Sequence, residues 1–85
     1  MRAISIRQPW LELIMRKEKT LEIRSWATNI RGDVLLCASA APKLLGLPTG
    51  QALCIANIAN CRPFLPEDSE KACCDYAPNL YAWEL

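Results

Sequence analysis

The run Lys17-Glu18-Lys19-Thr20-Leu21-Glu22-Ile23-Arg24-Ser25-Trp26 places cations, carboxylates and an aromatic in one short segment whose second half alternates. From Thr20 to Trp26 the even positions hold Thr, Glu, Arg and Trp, and the odd positions hold Leu, Ile and Ser. A strand over this segment sends Leu21 and Ile23 to a core and Glu22 and Arg24 to the opposite face. Charge alternation of this kind serves either a solvated strand face or one wall of a polar site.

On the N-terminal side, Arg2 to Arg7 reads as a first strand with Ile4 and Ile6 on one face. Gln8-Pro9 ends it, because proline offers no ladder donor but suits the first turn of a helix. Trp10, Leu13 and Ile14 follow at helical spacing, which predicts a short amphipathic helix from Pro9 to about Lys17 with Trp10 in the core. Arg16, Lys17 and Lys19 sit at its end, where the helix dipole favours cations.

On the C-terminal side, Ala27 to Gly32 is a connection, and Arg31-Gly32-Asp33 is a turn signal. Val34 to Ala38 is a continuous apolar run, expected to be a strand buried on both faces. Ser39 to Gly50 reads as a loop with at most one helical turn, around Lys43 to Leu45. Gln51 to Cys61 is expected to be one longer strand, in which Asn57 and Asn60 hint at a bulge or bend. Glu67 to Cys74 forms a short helix with Asp68 and Ser69 as cap candidates. Leu80 to Leu85 closes the chain as a strand with Tyr81, Trp83 and Leu85 on one face. The expected fold is therefore α+β: a small, closed or nearly closed mixed β-barrel with one clear helix between the first two strands and short helical connections.

At 85 residues residues 1–85 read as one domain. The 52% apolar and 22% charged composition is that of a globular chain. Net charge is +1, so nothing global draws it to nucleic acid or membrane, and any nucleic-acid affinity must come from a local patch. Charges interrupt the N-terminal apolar run, and no apolar segment has membrane-spanning length. Five cysteines without a signal sequence suggest reduced thiols and a cytoplasmic location. Histidine is absent, which excludes Ser-His-Asp and Cys-His nucleophile systems and histidine zinc motifs. Cys61, Cys73 and Cys74 lack Cys-x-x-Cys spacing and read as buried small residues, and Glu67, Asp68 and Glu70 suit a helix start. No metal site and no cofactor is expected.

The segment Ile4-Ser5-Ile6-Arg7-Gln8-Pro9-Trp10, the spacing Lys19-x-x-Glu22-x-Arg24 with Ser25-Trp26, Arg31-Gly32, and the strand ending at Ala38-Ser39 together resemble the ASCH domain family of the PUA-like superfamily. The likeness continues through Gly50-Gln51-Ala52 and Asn60-Cys61-Arg62-Pro63 to Tyr81-Ala82-Trp83, nearly the whole chain. It implies a PUA-like barrel with a cleft lined by Lys19, Glu22 and Arg24 and used for RNA or a modified nucleoside. Some members are nucleases, and a related branch deacetylates a modified cytidine. Three departures stand out. Lys17 occupies the place of a glycine two residues before the lysine, Glu22 replaces the deacetylating branch's threonine, and the short Ser39–Gly50 connection leaves a shallower cleft.

The residue chemistry points the same way. Lys19 and Arg24 donate and Glu22 accepts, which is the set needed to read a base edge. Arg7 and Gln8 leave the first strand beside this segment and offer a phosphate contact and an amide, or simply helix-entry hydrogen bonds. Trp10 can stack on a base but reads as core through its helical partners Leu13 and Ile14; Trp26 is the better stacking candidate, Ser39 a hydroxyl at a strand end, and Trp83 a core residue. Three functions stay open: RNA or nucleotide binding; hydrolysis of RNA or a modified nucleoside with Lys19 and Glu22 as catalytic groups; and a protein-interaction module whose cleft is vestigial. A monomer or a weak edge-strand dimer is expected.

Overall fold

The computed structural model describes all of residues 1–85. Strand β1 (Arg2–Ile6) leads to helix α1 (Trp10–Met15), then β2 (Leu21–Arg24), β3 (Gly32–Ala38), β4 (Ala52–Ile58) and β5 (Asn60–Pro63). A 3-10 turn (Pro66–Asp68) runs into the one-turn helix α2 (Ser69–Ala72), and β6 (Tyr81–Glu84) ends the fold.

These strands do not close a barrel. They form two three-stranded sheets, ordered β1-β3-β4 and β2-β6-β5. In the first, β1 runs parallel to β3 and β3 antiparallel to β4; the second is antiparallel throughout. The barrel is open at two seams, between β4 and β5, where the chain passes from one sheet to the other, and between β1 and β2. No ladder joins them, and the Arg24 guanidinium instead reaches across to donate from Nη2 to the Ser5 carbonyl at 2.8 Å. Long polar side chains on β2 stand where a closed sheet would need backbone bonds, and the seam opens as a cavity.

The segment expected as one long strand from Gln51 to Cys61 is two strands belonging to different sheets. They divide at Ala59, whose N–H donates to the Glu84 carbonyl at 2.8 Å. The bend falls between Asn57 and Asn60, while the ladder irregularity lies near the start of β4, where Leu53 has no partner between Leu36 and Cys37 of β3. Strand β3 is buried on one face only: Val34, Leu36 and Ala38 are buried and Leu35 and Cys37 are half-buried. The Ser39–Gly50 connection carries no helix or strand, and a single turn is closed by Leu47 N–H to Leu44 O at 3.1 Å.

The sheets share a larger core of Ile6, Leu11, Ile14, Val34, Leu36, Ala38, Ile58 and Trp83. A smaller one, of Leu21, Phe64, Ala72 and Ala82, lies on the other face of the second sheet. Each fully buried Leu or Ile contributes about 1.5–3 kcal/mol. Helix α1 buries Leu11 and Ile14, one position off the expected stripe. That rotation turns Trp10 out of the core, to 39% exposure.

Helix α1 ends where Lys17 takes a left-handed conformation, φ 63°. Its N–H donates to Ile14 O at 3.0 Å and that of Glu18 to Leu13 O at 3.0 Å, the two bonds of a Schellman cap. The position that favours glycine is thus filled by lysine. The reversed chain delivers Lys19 into the protein, with Lys19 N–H donating back to Leu13 O at 3.1 Å.

Candidate functional site

Strand β2 explains why the charged face of the alternating segment is buried. Glu22 lies in register with Trp83 and Ile23 with Ala82. Cross-strand partners share a face, so Glu22 and Arg24 point with Trp83 toward the larger core, while Ile23 points with Ala82 toward the smaller one. Both faces are covered, and the polar one borders the open seam with β1.

A cavity of about 510 Å³ occupies that seam. Lys19, Glu22, Arg24 and Trp26 line it from the β2 side, Ser5 and Arg7 from β1, and Trp10, Ser39 and Cys74 complete it. The structure therefore brings together six of the seven residues singled out in the sequence. Gln8 is elsewhere: it is almost fully buried, donates from Nε2 to Pro48 O at 3.1 Å and accepts Glu12 N–H at 2.9 Å. It ties the start of α1 to the Ser39–Gly50 connection.

Lys19 is 4% exposed, and its amine donates to the Ala72 carbonyl at 2.5 Å. Its Nζ stands 3.9 Å from Glu22 Oε1 and 5.7 Å from the centre of the Trp10 ring. Burial holds the amine below the usual lysine range, against the opposing pull of the Glu22 carboxylate. Glu22 accepts from Arg24 Nε through Oε2 at 2.8 Å. Its Oε1 is too far from Lys19 for a hydrogen bond, which leaves an acceptor facing the site. The Arg24 guanidinium lies 5.5 Å from the centre of the Trp26 ring and 5.6 Å from that of Trp83, within cation–π reach of both.

Trp26 is 53% exposed and meets the buried Trp83 edge-on, centroids 6.1 Å apart. Trp83 Nε1–H donates to the Trp26 carbonyl at 3.2 Å, which fixes the backbone beneath the exposed ring. Trp10 lines the cavity rather than the core, the less favoured of the two places its sequence context allows. The signal for it was present: Leu11 and Ile14 alone satisfy an i, i+3 stripe. Cys74 was missed. Burial raises its thiol above the usual cysteine range, partly offset by the Lys19 cation.

A second charged cluster lies on the far face of the same sheet. Arg62 donates to Asp68 through Nη1 at 2.6 Å and Nη2 at 3.0 Å, and to Glu84 through Nε at 2.7 Å. Asp68 also accepts Leu65 N–H at 2.9 Å. The Arg62 bonds hold the Asp68 carboxyl below the usual range. Asp68 stands at the N-cap position of α2, as the sequence suggests, while its carboxylate caps the preceding turn through Leu65 N–H and, through Arg62, pins the segment that carries Ala72 and Cys74 to the sheet.

A mixed α+β fold with two small sheets and a polar, tryptophan-flanked seam is the class of protein defined so far. The ASCH domain model matches residues 4–85, and the chain belongs to that family, within the PUA-like superfamily. The family is associated with RNA binding. No curated protein matches the chain. No helix is long and apolar enough to cross a membrane.

Proposed function

We propose that the protein binds RNA or a nucleotide, with one unstacked base held in the β1/β2 cavity. The observation that carries this reading is the joint presence of Lys19, Glu22 and Arg24 with two exposed tryptophans in a space of about 510 Å³. Trp10 and Trp26 supply apolar faces for a base, and stacking of this kind is worth about 1–3 kcal/mol. Glu22 Oε1 accepts from an exocyclic amine, while Lys19 and Arg24 donate to ring nitrogens or carbonyls. Exposed Arg7 and the Ser39 hydroxyl suit the sugar-phosphate part.

The test is a tryptophan-fluorescence titration with single-stranded RNA, double-stranded RNA and DNA at two salt concentrations, for the parent, Arg24→Ala and Trp26→Ala. Salt-dependent RNA binding that both variants weaken supports the reading. Binding unchanged in both variants sinks it and turns attention to a protein partner.

A second reading has its own support. Burial lowers the pKa of the Lys19 amine against the Glu22 carboxylate 3.9 Å away, which raises it, and desolvation is one setting in which lysine serves as a base. On this reading the protein hydrolyses RNA or a modified nucleoside, with Lys19 taking a proton and Glu22 assisting. Turnover by the parent, lost in a folded Lys19→Met variant, separates hydrolysis from binding alone.

A further inference from the structure

Six of the ten cationic side chains are arginines. Arg16, Arg24 and Arg62 are paired with carboxylates, whereas Arg2, Arg7 and Arg31 are not. All three unpaired arginines lie along the first sheet. Arg2 opens β1, Arg7 follows its last residue, and Arg31 immediately precedes β3, which pairs with β1. At strand rise, Arg2 and Arg7 stand about 17 Å apart along the chain, too far for one nucleotide to reach both.

Arg2 and Arg31 line a second polar pocket of about 540 Å³, together with Thr28, Asn29 and Asp33. Arg2 makes no side-chain hydrogen bond. Arg31 gives only Nη1, to the carbonyls of Thr28 at 3.0 Å and Ile30 at 2.9 Å, and keeps Nε and Nη2 for a ligand. Asp33 opposes an anion here, but its Oδ1 accepts from Asn57 Nδ2 of β4 at 3.2 Å, and two guanidinium groups outweigh it. The two pockets adjoin along the chain: Trp26 lines the first and Ala27 the second.

We infer that the ligand is a single strand of RNA several nucleotides long, with a base in the β1/β2 cavity and the phosphate of a nucleotide further along the strand held by Arg2 and Arg31. The inference rests on the cavity reading given above and adds a phosphate site to it. Guanidinium groups bind phosphate in paired, charge-assisted bonds, and each phosphate neutralised on a single strand steepens the salt dependence by about 0.7.

The experiment is a length series: mono-, di-, tetra- and hexaribonucleotides titrated by tryptophan fluorescence against the parent, Arg2→Gln, the Arg2→Gln/Arg31→Gln double variant and Trp26→Ala. In the parent, affinity rises about tenfold or more from mono- to tetranucleotide, with a steeper salt slope. Arg2→Gln, which breaks no side-chain hydrogen bond or ion pair within the protein, removes part of that gain. The double variant removes most of it and leaves mononucleotide affinity within about twofold of the parent, while Trp26→Ala weakens every length. Where mononucleotide binding is below detection, the ratio of parent to double variant on the tetranucleotide carries the test. A parent with no length dependence, or arginine variants that keep it, overturns the phosphate site and leaves the cavity reading standing. Absence of binding at every length removes both.

Discussion

On one face of the second sheet, Glu22 and Arg24 meet Lys19 beside a cavity; on the other, Arg62 meets Asp68 and Glu84 beneath the 66–72 segment. The residue types are nearly the same, but their hydrogen-bonding accounts differ. Arg62 uses Nε, Nη1 and Nη2 on carboxylates, and Asp68 has both oxygens engaged. Arg24 uses Nε and Nη2 and leaves Nη1 without a protein acceptor, and Glu22 leaves Oε1 outside hydrogen-bond reach of Lys19. A closed network stabilises a fold; an open one beside a cavity keeps capacity for a ligand. Opposite register on β2, β5 and β6 keeps the two apart: Glu22 pairs with Trp83, and Arg62 with Ala82.

The comparison breaks most readily at Asp68. Replacing it with alanine leaves Arg62 one carboxylate and orphans the Leu65 N–H. We expect a loss of about 2 kcal/mol, which in a domain of this size lowers Tm by about 10 °C. RNA affinity of the folded protein should stay within about twofold of the parent. A binding loss larger than the stability loss would mean that the networks are not separate.

Arg24→Ala is the converse. Affinity for RNA is expected to fall about 10- to 100-fold, or about 1.4–2.8 kcal/mol, since arginine contacts of this kind are worth about 1–3 kcal/mol. Thermal unfolding should move by only a few degrees. Lys19 is a poorer probe than Arg24. With the amine buried against the Ala72 carbonyl, a charge reversal there places a second carboxylate beside Glu22 and compromises folding as well as binding. Trp26→Ala is expected to weaken binding by about 5- to 100-fold through lost stacking, checked by the same titration with Trp10 as reporter.

Acid sharpens the contrast. The folded Asp68 carboxyl is held below its ordinary value of about 3.9. On acidification the unfolded chain therefore takes up the proton first. The stabilisation is fully present above about pH 5 and is lost as pH falls through 4 toward the folded value. Equilibrium unfolding of the parent and Asp68→Asn should differ at neutral pH and converge at low pH. A constant gap would assign the interaction to shape rather than charge.

Local pattern was enough to place β1, β2, β3, β6 and helix α1 and to single out most of the polar side chains that line the β1/β2 cavity, because Leu21 and Ile23 alternate with Glu22 and Arg24 whatever lies beyond them. The seam was not legible. Whether β1 and β2 pair depends on what stands between them, and the Arg24 to Ser5 contact joins residues 19 positions apart. The Gln51–Cys61 segment misled for a similar reason: its small and branched residues suit a strand throughout, and the change of sheet at Ala59 is set by the Glu84 carbonyl. Asp68 read only as a helix-start residue, without Arg62 as its partner, because their pairing is a product of how the 66–72 segment docks. Trp10 was misplaced by one helical position, enough to move an aromatic from core to cavity.

The smallest expected effect concerns the residue that steers the chain into the open network. Lys17 has φ 63° and no carboxylate partner, so its side chain gains little while its Cβ bears the strain of the left-handed region, about 1 kcal/mol. Lys17→Gly relieves that strain, loses a cation near the end of α1 worth a few tenths of a kcal/mol, and adds chain entropy to the unfolded state. The net change is expected to be stabilising by only about 0.5 kcal/mol. Lys17→Ala loses the same charge without the relief, so the glycine variant should exceed it by about 1 kcal/mol in chemical denaturation. Because the Schellman bonds from Lys17 and Glu18 precede Lys19 directly, the glycine variant should also leave RNA affinity unchanged. An affinity shift would mean that the lysine at the turn acts on the open network itself, through its charge rather than its backbone.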